Sequence, residues 1–137
     1  MTVGYSGTPL WKKLGLKPGH NVFVANPPEN YRALIEPLRS QVAFVPLVTG
    51  DVDLFHVFSK ESQDLQQHLA AIRANMRHDS VIWVSWPKKA SKVPTDITED
   101  TIRTLAFPLD LVDIKVCAVD ATWSGLKLMI RRENRQK

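Results

Sequence analysis

The sequence predicts an α/β fold built on a mostly parallel sheet of about six strands, ending in an antiparallel hairpin, with helices on both faces. Three observations predict it. Short β-branched runs alternate with helical patterns, as strands joined by crossover helices do. Val81–Trp86 is almost continuously apolar, the mark of a strand covered on both faces. The last two strand-like runs are separated by Asp120–Gly125 alone, and a parallel return needs a dozen or more residues, so that pair is antiparallel.

Each element has its own grounds. Thr8 suits a helix N-cap and Pro9 the first helical position, with Leu10, Trp11 and Leu14 on one stripe and Gly15 to end the helix. Lys17-Pro18-Gly19-His20 turns the chain into a first strand, Asn21–Ala25, which Asn26-Pro27-Pro28 breaks. Tyr31, Leu34, Ile35 and Leu38 recur at helical spacing, and Pro37 limits that helix. Strands follow at Val42–Val45 and Asp53–Phe58. Ser59 is expected to cap the strongest helix, whose core face is Leu65, Leu69, Ile72 and Met76. After Val81–Trp86, Pro87-Lys88-Lys89 opens an irregular loop. A helix from about Thr98 carries Glu99 and Asp100 in its first turn, uses Ile102, Leu105 and Ala106 as its apolar side, and stops at Pro108. Val112–Val119 and Leu126–Arg131 are the closing strands. The order β-α-β-β-α-β-α-β-β is that of a doubly wound, Rossmann-like sheet, and an antiparallel hairpin at its end is how the methyltransferase variant of that fold finishes. One domain is expected over residues 1–131, with an N-terminal helical segment, followed by a basic tail over 132–137.

Composition excludes several classes. At 137 residues, with 44% hydrophobic and 23% charged residues, the chain has enough apolar content for one core and too much for disorder. The last seven residues hold four basic residues against one acidic, three of the four net positive charges of the whole chain. A nucleic-acid binder concentrates basic residues on a folded face, so nucleic acid is not expected as a partner here. A single cysteine, Cys117, rules out an intramolecular disulfide and any multi-cysteine metal site, and its strand position suits a small apolar filler. Met1–Gly7 shows no basic region followed by an apolar run, and the longest uncharged apolar stretch, Val42–Val48, is too short to cross a bilayer. A cytoplasmic protein without membrane contact is the expectation.

In an open α/β sheet, ligands lie beyond the carboxyl ends of the strands. After the first strand comes Asn26-Pro27-Pro28-Glu29-Asn30, with no glycine to let backbone approach a cofactor, and with two N–H donors removed by proline. After the second comes Val45-Pro46-Leu47-Val48-Thr49-Gly50, with no carboxylate to grip a ribose until Asp51. Asp51 and Asp53 are read as solvent-side flanks of the third strand. The end of the fourth strand, Ser85-Trp86-Pro87-Lys88-Lys89, pairs two lysines with an aromatic, a set suited to a phosphate or carboxylate, or to a plain solvated loop. Ser6-Gly7-Thr8 at a helix start suits either an anion or ordinary capping. His20, His56, His68 and His78 show no ligand spacing, and His56 reads as a hydrogen-bonded core residue; no metal site is expected. No nucleophile elbow or phosphate-binding glycine loop occurs.

Several motifs together resemble one family. They are Gly4-Tyr5-Ser6-Gly7-Thr8-Pro9-Leu10 with Lys13-Leu14-Gly15, Trp86-Pro87-Lys88-Lys89, Thr95-Asp96-Ile97-Thr98-Glu99, Asp113–Asp120 and Trp123-Ser124-Gly125-Leu126-Lys127. The chain is similar over nearly its whole length to a family of small bacterial proteins known as a domain of unknown function (number 3052). That resemblance carries no activity across; it implies only that the N-terminal segment, the Trp86–Lys89 turn and the Trp123–Gly125 turn are family features.

The functional expectation is a Rossmann-like module without catalysis of its own, binding a small anionic ligand or a protein partner and needing no cofactor. Its candidate ligand-binding residues are Tyr5, Ser6, Trp86, Lys88 and Lys89, and no catalytic residue is assigned. The alternative is a divergent S-adenosylmethionine-dependent methyltransferase, resting on topology. A third is weak nucleic-acid contact through the Arg131–Lys137 tail.

Overall fold

A computed structural model describes residues 8–36 and 38–135. Tyr5 and Ser6 therefore lie outside the described residues, as does Pro37. Six strands form one sheet: β1 (Asn21–Ala25), β2 (Ala43–Phe44), β3 (Leu54–Phe58), β4 (Val81–Pro87), β5 (Leu111–Ala118) and β6 (Trp123–Ile130). Their order across the sheet is β2-β1-β3-β4-β6-β5. The first three pairings are parallel, whereas β6 runs antiparallel to both β4 and β5. The Rossmann-like sheet closed by an antiparallel hairpin is thus as the sequence predicts.

Four α-helices cover the sheet: α1 (Leu10–Leu14), α2 (Tyr31–Leu34), α3 (Ser62–Asn75) and α4 (Glu99–Ala106). Side chains alternate across each strand, so one face of the sheet packs against α3 and α4 and the other against α1 and α2. The first face joins Phe55, Val57, Ile82, Val84, Leu126 and Leu128 to Leu65, Leu69, Ile72 and Ile102. The second joins Val22, Leu54, Phe58 and Trp83 to Leu10, Leu14, Tyr31 and Ile35.

Local chemistry explains the helix ends. Gly15 terminates α1 in the left-handed region at φ 82°, giving its N–H to the Lys12 and Trp11 carbonyls. The α1 cap is Pro9, one residue later than Thr8. Thr98 and Thr101 form a reciprocal capping box at the start of α4. Pro108 does end the α-helix, but a 3-10 turn over Phe107–Leu109 carries the chain into β5.

Ser59 does not cap α3, contrary to the sequence reading. The cap position is Glu61, and the orphan Ser62 N–H is satisfied by Asp96 Oδ1 at 2.7 Å, from a distant loop. Sequence spacing has no access to a cap supplied 34 residues away. The closing hairpin is also tighter than expected: Trp123–Gly125 belong to β6, and Asp120 Oδ1 accepts from the Thr122 and Trp123 amides to make the turn. Beyond β6, in the segment read from the sequence as a basic tail, Arg132–Asn134 form a 3-10 turn tied to Asp110 by Asn134, and Arg131 also meets Asp110. Among the described residues, no helix is long and apolar enough to cross a membrane.

Candidate functional site

The sheet order reverses between β1 and β3: β2 follows β1 to one side, and β3 and β4 follow to the other. At such a switch the crossovers leave on opposite faces and a crevice opens beyond the strand ends. A cleft of about 910 Å³ lies there. Asn26, Pro27 and Pro28 line it from the end of β1; Phe58, Ser59, Lys60, Glu61 and Asp64 line it from the end of β3 and the start of α3. Pro94, Thr95 and Asp96 close it from the loop before α4, and Trp123 from the start of β6.

Asn26 makes the exit from β1. It sits at φ 55°, in the left-handed region that asparagine tolerates better than most residues, and donates Nδ2 to the Phe58 carbonyl at 3.2 Å. That bond ties the ends of the two switch-point strands together. Pro27 and Pro28 then wall the cleft without offering an N–H. The same two prolines wall a second cleft of about 380 Å³, shared with Val24, Glu29, Tyr31, Arg32, Phe44 and Val45. At the end of β2, where a ribose-gripping carboxylate is sought, the structure has Phe44 and Val45, with the Arg32 guanidinium 4.7 Å over the Phe44 ring.

The floor on the β3 side is cross-braced. Ser59 Oγ lies 2.8 Å from Asp64 Oδ2 and 3.0 Å from the Glu61 carbonyl. Thr95 Oγ1 donates to the Lys60 carbonyl at 2.6 Å, and the Asp96 amide donates to the same oxygen. Asp96 accepts from both Ser62 N and Ser62 Oγ. The start of α3 is therefore already supplied with internal carboxylates, so the anion-favouring end of its dipole is occupied from within the chain. One lysine, Lys60, faces three carboxylates, Glu61, Asp64 and Asp96, around the cleft. Phe58 and Trp123 add an aromatic wall, meeting edge to face with centroids 5.0 Å apart. The lining as a whole favours a cation or a neutral ring over an anion.

Behind the aromatic wall runs a buried polar chain. His56 Nδ1 lies 2.9 Å from the Tyr31 hydroxyl and Nε2 lies 2.7 Å from Ser85 Oγ, with all three side chains buried. Burial pushes the His56 imidazole down to about 3 and the Tyr31 phenol upward. A neutral ring donates at one nitrogen and accepts at the other, so both hydroxyls are satisfied in either tautomer. His56 is the hydrogen-bonded core residue the sequence predicts. Its ring stacks on Phe58 at 4.3 Å, and Phe58 faces the cleft, so the network holds one wall of the site.

The other sequence candidates fall elsewhere. Trp86 is buried in the α3/α4 core, sealing the layer. Lys88 is half-buried and gives its amide to the Thr122 carbonyl; Lys89 is exposed at the start of a 3-10 turn. None of the three lines the switch-point cleft. Asp51 and Asp53 lie at the opposite, amino end of β3. Burial pulls Asp53 upward, but the Asn21 amide and Arg77 outweigh it and hold the carboxyl below its ordinary range. Cys117 is half-buried, and burial raises its thiol against the pull of Lys13 and Lys115. Among the described residues, no group of three His, Cys, Asp or Glu converges as a metal site. Nothing in the sequence marks the carboxylate rim, because Glu61 and Asp64 stand more than thirty positions from Asp96 and only the fold brings them together.

Neither protein-family models nor curated proteins yield a match to the chain. Solved structures do. A protein assigned as a type 11 methyltransferase from Sulfolobus solfataricus superposes with a TM-score of 0.64 at 14% identity, covering 93% of each chain. A SAM-dependent methyltransferase from Aquifex aeolicus gives 0.60 at 13% identity, covering 88% of this chain and 87% of that one. An S-adenosylmethionine-dependent methyltransferase from Clostridium acetobutylicum gives 0.59 at 9% identity, with the same coverages. At these identities what is shared is architecture: the chain has the Rossmann-like fold of these methyltransferases.

Proposed function

We propose that the switch-point cleft binds a small cationic ligand of the S-adenosylmethionine class, and that the chain is a divergent member of the methyltransferase-like fold. One observation carries the reading: the cleft at the β1/β3 switch combines a carboxylate rim with an aromatic wall. A sulfonium is a permanent cation, and Glu61, Asp64 and the Trp123 ring are the groups that stabilise one. Lys60 is the group for a ligand carboxylate. The fit is incomplete at the other end, since the Asn26-Pro27-Pro28 turn lacks the N–H donors of a glycine loop and β2 ends without an acid. Calorimetry with S-adenosylmethionine and its neutral thioether product, S-adenosylhomocysteine, tests the proposal. Heat is expected from the sulfonium, less from the thioether, and a loss of about tenfold in affinity in Glu61→Gln/Asp64→Asn, about 1.4 kcal/mol. Absence of heat from both compounds at millimolar concentration ends it.

The proline-stiffened first turn favours a second reading, a non-catalytic module for an anionic ligand or a protein partner. In that reading Lys88 and Lys89 hold the anion beside Trp86, with Tyr5 and Ser6. Lys88→Ala/Lys89→Ala then abolishes binding of the anion and leaves thermal stability nearly unchanged; an unaltered affinity removes the site. Membership of the domain-of-unknown-function family and a cytoplasmic setting are part of the same proposal.

A further inference from the structure

The surplus positive charge of this chain is not confined to its terminus. Lys115 on β5 and Lys127 on β6 are direct cross-strand partners, so their side chains leave the same face of the sheet a few ångströms apart. Cys117 and Gly125, the next pair on that face, lie under Trp83, which identifies it as the face covered by α1 and α2. The cover stops short of the sheet edge. Between α1 and β5 a groove of about 420 Å³ remains, lined by Thr8, Lys12, Lys13, Lys115, Cys117 and Ala118 among others. Lys13 reaches across it to the Ala118 carbonyl at 3.4 Å. At the far end Arg135 lies near enough to Lys127 to act on it.

Four of these five cations have no acidic counterweight among the described residues. Among the described residues no carboxylate comes within ion-pair distance of Lys12, Lys115, Lys127 or Arg135. The remaining residues of the chain, 1–7, 37 and 136–137, contain no Asp or Glu. Like charges set directly opposite on neighbouring strands cost stability. Burial first, then the charges of Lys115 and Arg135, hold the Lys127 ammonium below its ordinary range.

We propose that this groove and the adjoining β5–β6 face bind the phosphate backbone of a nucleic acid. A row of fixed cations spaced by strand positions, about 5–10 Å apart, matches a string of phosphates better than one compact anion. The surface is concave, walled by α1, which suits a strand laid along it and not a flat lipid headgroup layer inserting apolar side chains. It opens at the same end of the sheet as the acidic cleft, because Ala118 pairs with Ser124, the neighbour of the cleft residue Trp123. The proposal stands whether or not that cleft takes the ligand proposed for it.

Fluorescence anisotropy of a labelled single-stranded RNA oligonucleotide, titrated at several salt concentrations, tests it. Binding is expected to weaken steeply with salt. Lys115→Ala/Lys127→Ala is expected to lose on the order of tenfold in affinity at low salt and to flatten the log–log salt slope by about 1.4, the share of two phosphates. Lys17→Ala/Arg39→Ala, which removes equal charge at exposed sites away from the groove, is expected to leave binding unchanged. Thermal melting of the first variant controls for folding, and removing the repulsion is expected to hold or raise its midpoint. RNA binding that is absent, indifferent to salt, or equal in the two variants overturns the proposal. So does stronger association with phosphatidylserine vesicles than with RNA.

Discussion

The two faces of the sheet are built on different principles. Under α3 and α4 the contact is apolar from end to end, with Leu65, Leu69, Ile72, Ile82, Val84 and Leu126 all fully buried. Under α1 and α2 the sheet presents His56, Ser85 and Trp83, each committed to a hydrogen bond, and at the edge Lys115 opposite Lys127. Apolar contact stabilises without direction, whereas a hydrogen-bonded core fixes positions. The polar face leads straight to the site: Tyr31 follows the Asn26-Pro27-Pro28 turn, and its hydroxyl is pinned through His56 to β4. One face holds the molecule together; the other sets where its clefts stand.

The contrast can be broken at four places, in descending order of effect. Leu69→Ala on the apolar face is expected to cost about 2–5 kcal/mol in denaturant unfolding, with the same loss at neutral and mildly acid pH. His56→Leu on the polar face strands the Tyr31 and Ser85 hydroxyls, at about 1–3 kcal/mol each, and it also changes the pH profile. In the native chain His56 titrates at about 3, below the ordinary histidine value of 6.5, so the unfolded chain takes up its proton first. Stability is then full above about pH 6.5 and falls by several kcal/mol as pH drops towards about 3. Substitution by leucine is expected to remove that component, and a wild-type curve without any acid slope in this window contradicts the assignment. Next comes the loss of about 1.4 kcal/mol in ligand affinity when the cleft loses Glu61 and Asp64 charge. The smallest effect is on the bare edge: Lys127→Glu makes a cross-strand ion pair with Lys115 and is expected to stabilise by about 0.2–1 kcal/mol in thermal melts. A destabilised Lys127→Glu contradicts the placement of the two lysines on one face.

Much of this architecture is legible in the sequence. Val81–Trp86 announces a strand buried on both faces, Thr98 the start of a helix, and the short Asp120–Gly125 connection an antiparallel return, and the fold has all three. That ligands gather beyond the strand ends is legible too, but the sequence reading points to the end of β4, and Trp86, Lys88 and Lys89 do not line the cleft at the β1/β3 switch. The character of that cleft is not legible. The acidic rim is assembled from Glu61 and Asp64 on one crossover and Asp96 on another, brought together by the Ser62–Asp96 bonds across 34 residues. The cationic groove likewise joins Lys12 and Lys13 to Lys115 and Lys127, more than a hundred positions apart. Net charge summed along the chain hides both, because an acidic cleft and a basic groove cancel in the total. Trp86 and the lysines after it suggest a site for the opposite reason: they are adjacent in sequence, but the strand that carries them turns the indole inward.

Trp83 sits beneath all of this. Its indole N–H reaches the Leu14 carbonyl at 2.9 Å, at the last turn of α1, and Gly125 lies against the ring; a methyl there would stand 3.2 Å from Val119 Cγ2 and 3.3 Å from the indole, so both would have to give by a few tenths of an ångström. The first helix is thereby riveted to the middle of the sheet from below. Lifting it would expose the indole and orphan its N–H, so the outer wall of the groove moves only when the centre of the molecule does. A single alanine at Gly125 is a lever on that wall from the far side of a strand, and the emission of a buried tryptophan is the gauge that would register it.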